Sequence, residues 1–205
     1  MASDGAHHQR AMVVVAHADD AEWGCAGTVA KWCAEGWEVV YVLCTDGSKG
    51  SEDPEMTSGR LVEIRKQEQL DAGKVLGLKD IVFLGYEDSM LEPTLELRRD
   101  IAREIRRHRP DVLICMNPVR SVDGEGYLGH PDHFASGEAA LSAVFPSSRE
   151  PPSLALVQLS APDMYHAPPD PLVHQHPHLL DPEAHRNQFV EFKPSVLRCS
   201  QSGFC

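Results

Sequence analysis

Short apolar runs alternate with longer amphipathic stretches along most of the chain. The runs AMVVVA (11–16), EVVYVLC (38–44), DIVFLG (80–85), DVLICM (111–116) and LALVQL (154–159) are mostly apolar and rich in branched residues, as strands covered on both faces should be. Between them the spacing predicts helices over 25–35, 60–76, 95–108 and 132–145, with Pro110 ending the third and Pro131 at the start of the fourth. Strand then helix, repeated and closed by a fifth strand, predicts a mostly parallel sheet sandwiched between helices, with right-handed crossovers. The fold class is therefore α/β, a Rossmann-like three-layer α/β/α domain over 11–160. Residues 1–10 read as a disordered polar stub. Residues 161–205, rich in Pro and His, read as an irregular segment packed on the same domain.

Sheets of this kind bind ligands at the carboxyl ends of their strands. Four segments qualify: His17-Ala18-Asp19-Asp20, Thr45 to Gly50, Gly85 to Asp88, and the long loop from Asn117 to His133. A dinucleotide is not expected there, because Gly24-Cys25-Ala26-Gly27 reads as a Gly-x-x-Gly turn into a helix and lacks the G-x-G-x-x-G spacing.

Charge and composition narrow the field further. Across 205 residues, 19 Lys and Arg against 31 Asp and Glu give a formal charge of −12. That balance argues against a phosphate-backbone partner, which clustered cations would be needed to hold. The basic stretch Arg98–Arg109 mixes arginine and acid at helical spacing and reads as a solvated helix face. The first apolar run falls far short of the roughly twenty residues of a membrane span. Six cysteines form no CxxC pair, which suits reduced thiols and a cytoplasmic location.

An imidazole and two carboxylates within four residues, directly after a buried strand, have the composition of a metal site. Zinc takes neutral imidazole nitrogen and carboxylate oxygen, and a catalytic site keeps three protein ligands and an open position. His17-Ala18-Asp19-Asp20 can supply two ligands and a base. The third ligand must come from elsewhere, and His130-Pro131-Asp132-His133 opens the helix after the fourth strand. There, one histidine can ligate while the other is held by a carboxylate.

The stretches VVVAHADDAEWGCAGTVAKW, CTDGSKG, RKQEQLDAGKVLGL, FLGYEDSML and GHPDHFASGEAAL, in that order over about 11–145, resemble the PIG-L/LmbE family of zinc-dependent N-deacetylases. The specific part of the likeness is the pair A-H-x-D-D and H-P-D-H. Family members act on N-acetylglucosaminyl compounds such as GlcNAc-phosphatidylinositol, GlcNAc-inositol and GlcNAc-malate, and relatives cleave amides of thiol conjugates. The resemblance implies zinc held by His17, Asp20 and His133, with Asp19 as general base. It implies that His130 stabilises the oxyanion and serves the leaving amine, with Asp132 orienting it. Arg65, on an R-x-x-E pattern with Glu68, is implied as a substrate contact, and Asp88 as a holder of substrate hydroxyls. The implied partner is a small N-acetylated sugar conjugate, and a homo-oligomer is compatible with the chain. Iron suits the same ligands.

Three departures from the family pattern stand out. Ala18 replaces the usual proline of the first motif. Asp88-Ser89 stands where D-G is usual, which puts a left-handed glycine geometry in question. The tail Lys193–Gln201 lacks the family's histidine. Two other readings therefore stand beside the deacetylase: an amidase acting on a thiol-conjugate amide, and a non-catalytic metal- or sugar-binding module with an incomplete C-terminal pocket. His174, His176 and His178 read as an exposed loop. Tyr127 lies near the place of a family tyrosine, and Trp23 sits beside the Asp pair.

Overall fold

In the computed structural model the described residues are 9–120, 129–148 and 154–159. The proposed boundaries at 1–10 and 161–205, Tyr127, the histidine-rich segment and the tail motif fall wholly or mostly outside them. Arg10 is already the first residue of a strand.

Five strands, β1 (Arg10–Val15), β2 (Glu38–Thr45), β3 (Asp80–Tyr86), β4 (Val112–Met116) and β5 (Ala155–Leu159), form one sheet in the order β3-β2-β1-β4-β5. Every pairing is parallel, with Val13 opposite Tyr41 on one side and Ile114 on the other. Four helices connect them: α1 (Asp20–Ala34), α2 (Ser58–Leu76), α3 (Leu95–His108) and α4 (Pro131–Ser142). Successive β1 side chains point to opposite faces. Met12 and Val14 pack with Leu97, Ile101 and Ile105 of α3 and Ala135 and Ala139 of α4. Val13 and Val15 pack with Ala21, Cys25 and Val29 of α1, and Leu76 at the end of α2 joins that side. The three-layer α/β/α expectation is met.

Two differences from the sequence reading are informative. Helix α1 begins at Asp20, not near residue 25, and takes in the glycines read as a turn. Gly24 lies where the helix passes Leu159 of β5, against which a Cβ would collide. The glycine therefore serves close packing rather than a bend. The last helix is regular only to Ser142, and Phe145 (φ −137°, ψ 131°) leaves the helical region. The next residue in the sequence is a proline, and the residue before a proline is disfavoured in the α conformation.

Candidate metal centre

The strand order reverses between β1 and β4, which is where an open parallel sheet leaves a crevice. Beyond Val15 the chain is held against β2, because the Thr45 amide and the Thr45 hydroxyl both donate to the Ala16 carbonyl at 2.8 Å. The His17 amide then donates to Asp20 Oδ2 at 2.8 Å. Between them Asp19 adopts a left-handed backbone (φ 82°, ψ −25°) just before α1, and its side chain makes no capping bond. This conformation costs a residue with a Cβ roughly 1–2 kcal/mol. It leaves the Asp19 carboxylate half exposed in the cleft while Asp20, one residue on, is buried.

The second motif arrives on α4. His130 is the cap, Pro131 opens the helix, and Asp132 and His133 lie buried in its first turn. The helix comes so close to β4 that a Cβ on Gly137 would strike the Met116 carbonyl. That approach places His133 over the end of the sheet.

His133 Nε2 is 3.1 Å from Asp20 Oδ1, and His17 Nδ1 is 3.4 Å from Asp20 Oδ2. One donor atom from each of His17, Asp20 and His133 lies within 4.8 Å of the others. Metal–ligand bonds of about 2.0–2.2 Å set tetrahedral donor separations at roughly 3.3–3.6 Å, so this donor set fits a divalent cation. The electrostatics agree. His17 Nε2 also lies 3.2 Å from Asp88 Oδ1 and 3.2 Å from Asp132 Oδ2. Burial works against a charge on His17, but Asp20, then Asp88 and Asp132, push its pKa up to about 9. Burial likewise disfavours the Asp20 carboxylate, yet hydrogen bonds from His133 and His17 hold it well below the usual range. The pocket is built to accept positive charge.

A second trio, His17, His130 and Asp132, also comes together, but Asp132 and one ring nitrogen of His130 are already engaged by backbone amides. Asp132 is fully buried, and its Oδ2 and Oδ1 accept the Ser89 and Leu91 amides at 2.8 and 3.3 Å. His130 Nδ1 accepts the Asp132 amide at 3.2 Å. An accepting Nδ1 leaves the proton of a neutral imidazole on Nε2. Burial, then the neighbouring His17, lowers the pKa of His130.

These contacts bear on two of the implied roles. Asp132 Oδ1 is 4.0 Å from His130 Nδ1; the carboxylate pins the 88–91 loop and faces His17, and it is the Asp132 backbone that orients His130. Asp88 is buried with both oxygens engaged, Oδ2 by the Lys49 amide at 3.0 Å and Oδ1 by the Ser89 hydroxyl at 3.2 Å. It faces His17 and also lines the cleft. Ser89 does keep the left-handed geometry, with φ 64°.

Arg65 reaches the cleft from α2, 3.5 Å from Asp19 Oδ2 and 3.5 Å from Glu68. Burial and then the Asp20 charge raise the pKa of Asp19, and Arg65 opposes them. The cleft holds about 240 Å³ and is lined by His17, Asp19, Asp20, Lys49, Arg65 and His130 among others. Trp23 is exposed and does not line it. The sequence reading missed two contributors. Lys49 lines the cleft and pairs with Glu87 at 2.9 Å. Gln69 stands behind Asp19, and the signal for it was a polar residue on the buried stripe of α2 that also holds Leu61 and Gly73.

The family described as PIG-L, GlcNAc-PI de-N-acetylase, matches residues 12–144. The chain is 35% identical over 136 residues to a diacetylchitobiose deacetylase of Thermococcus kodakarensis, covering 66% of this chain and 49% of that protein. It thus spans about half the length of that relative. Against a probable N-acetyl-alpha-D-glucosaminyl L-malate deacetylase 2 of Bacillus anthracis the identity is 28% over 203 residues, covering 96% of this chain and 80% of the relative. Among solved structures, the N,N'-diacetylchitobiose deacetylase of Pyrococcus horikoshii superposes with a TM-score of 0.68 at 27% identity, covering 74% of this chain and 60% of the other.

Proposed function

Since the chain belongs to the PIG-L family, we propose that it is a zinc-dependent hydrolase that removes the acetyl group from an N-acetylglucosaminyl-type conjugate. The observation that carries this reading is a His-Asp-His donor set, buried at Asp20 and His133 and partly buried at His17, spaced for one cation, with a half-exposed carboxylate beside it. The names of the Thermococcus and Bacillus relatives support the substrate class. Two imidazoles and a carboxylate are a donor set zinc favours in hydrolytic sites. Four described cysteines are free thiols, which suits the cytoplasmic location we propose. No helix among the described residues is long and apolar enough to cross a membrane.

In this proposal His17, Asp20 and His133 hold the metal, which when bound supplies Lewis-acid polarisation of the amide carbonyl and acidification of water. Asp19 takes the proton of the attacking water. Its raised pKa suits a carboxylate that must hold a proton briefly. His130 donates from Nε2 to the oxygen that becomes negative as the carbon turns tetrahedral, a contact typically worth a hundredfold or more in rate, about 3 kcal/mol. Asp19 then returns its proton to the departing amine, so acetate and a free amino sugar leave with one water consumed. Arg65 steadies Asp19 and offers its remaining N–H groups to the substrate.

A binding module would need neither base nor oxyanion donor, and Asp19 and His130 both reach the cleft. The test is release of acetate and amine from diacetylchitobiose and from GlcNAc-malate by the zinc-loaded chain, repeated with a chelator and after zinc is restored. Turnover that disappears and returns supports the proposal. A zinc-loaded chain with no turnover on any N-acetylglucosaminyl compound would overturn it in favour of binding.

A further inference from the structure

Gln69 is among the most buried polar side chains of the described residues, 3% exposed in the middle of α2. It bridges two points of the segment that carries Asp19. Its Nε2 donates to Glu22 Oε1 at 2.8 Å, and its Oε1 accepts the Asp19 amide at 3.4 Å. The direction of the side-chain amide is dictated by chemistry. A carboxylate only accepts, so Nε2 must face Glu22 and the oxygen must face Asp19.

Asp19 needs such a partner. It holds a left-handed backbone without help from its own side chain. Its carbonyl is fixed by the Trp23 amide at 3.0 Å, inside the first turn of α1. Its amide points the other way, and the acceptor it finds is Gln69. Arg65 touches only the carboxylate, at 3.5 Å. A strained backbone persists only where its surroundings over-determine it. The peptide that aims Asp19 is therefore anchored on one side by its own helix and on the other by a buried side chain of α2.

We propose that Gln69 is a positioning residue for Asp19, using Glu22 to orient its amide so that the strained Asp19 peptide is held with the carboxylate aimed into the cleft. The kinetic part of this inference rests on the deacetylase reading; the conformational part does not.

The test uses the full chain loaded with zinc. In Gln69→Leu, hydrogen exchange at the Asp19 amide should speed up by about tenfold or more while the Val29 amide in α1 is unchanged, and kcat should fall about tenfold with KM within about twofold, the worth of one lost hydrogen bond. Gln69→Glu should fall similarly, because its carboxylate would face that of Glu22. The exchanged pair Glu22→Gln with Gln69→Glu restores one donor and one acceptor at each contact, and should recover kcat to within about threefold of the starting chain. A residue that merely fills space would not respond to that exchange. If Gln69→Leu fails to fold, Gln69→Glu and the exchanged pair decide the matter. Unchanged Asp19 exchange in Gln69→Leu, or failure of the exchanged pair to recover what Gln69→Glu lost, would overturn the inference. A starting chain without turnover would defeat the deacetylase reading instead, and Asp19 exchange would still decide whether Gln69 holds the peptide.

Discussion

Asp19 carries two burdens that two substitutions can separate. Replacing it by Gly or by Ala removes the same carboxylate, and with it the half-exposed ion pair to Arg65, worth about 0–1 kcal/mol in either variant. The variants differ only in the backbone. At φ 82° alanine retains the left-handed penalty of about 1–2 kcal/mol, which glycine escapes. Glycine gives back about 0.5–1 kcal/mol as extra freedom in the unfolded chain. The net is about 1 kcal/mol in favour of Asp19→Gly, or a Tm higher by about 2–4 °C for a domain of this size. Turnover should fall in both by the same factor, on the order of 10²–10⁴, as expected for a lost general base. Thermal unfolding by circular dichroism and amine release measured on the same samples check the two halves. A Tm for Asp19→Ala equal to or above that of Asp19→Gly would refute the strained placement of the base, whatever happened to activity.

Further outcomes follow from the same contacts. Asp132→Ala leaves the Ser89 and Leu91 amides without their acceptor and should cost about 3 kcal/mol, read as a lower urea midpoint with unchanged slope; an effect under about 0.5 kcal/mol would contradict the role given to that carboxylate. Arg109 ends α3 with φ 48°, so Arg109→Gly should stabilise by about 1 kcal/mol, and a lower Tm would be the wrong sign. Burial works to raise the pKa of Asp100, but the Tyr86 hydroxyl at 2.8 Å and the neighbouring arginines hold it below its ordinary 3.8. A carboxyl whose folded pKa is depressed adds stability that is present above its unfolded pKa and is lost as pH falls through the folded value. Asp100→Asn should therefore cost stability at neutral pH and lose less than the parent chain below about pH 4; parallel stability curves would contradict this.

How much of this could be read beforehand depended on how local the cause was. The strands were legible because a parallel sheet covered on both faces needs continuous apolar runs, and 38–44 and 111–116 fall within a residue of β2 and β4. The start of α1 was not, because Gly24 sits tight against the Leu159 side chain, more than a hundred residues away. The meeting of His17, Asp20 and the H-P-D-H motif was legible because His17 and Asp20 are neighbours after one strand and the motif opens the helix after another, whereas the choice of His133 over His130 came from the family resemblance. The partners of Asp132 and Asp88 were not, since both depend on how the 88–91 loop folds back over α4. Gln69 left a trace as a polar residue on a buried stripe, but its purpose emerges only once Asp19 is seen in a left-handed turn.

The central claim is that His17, Asp20 and His133 close on one cation while Asp19 and His130 stand beside it. Zinc titration of metal-free protein, followed by calorimetry and by metal analysis after dialysis, tests this most directly. One zinc per chain is expected for the unmodified protein, for Asp19→Ala and for His130→Ala, and loss of that zinc in Asp20→Ala and His133→Ala. Zinc retained by Asp20→Ala, or lost equally from Asp19→Ala and Asp20→Ala, would contradict it.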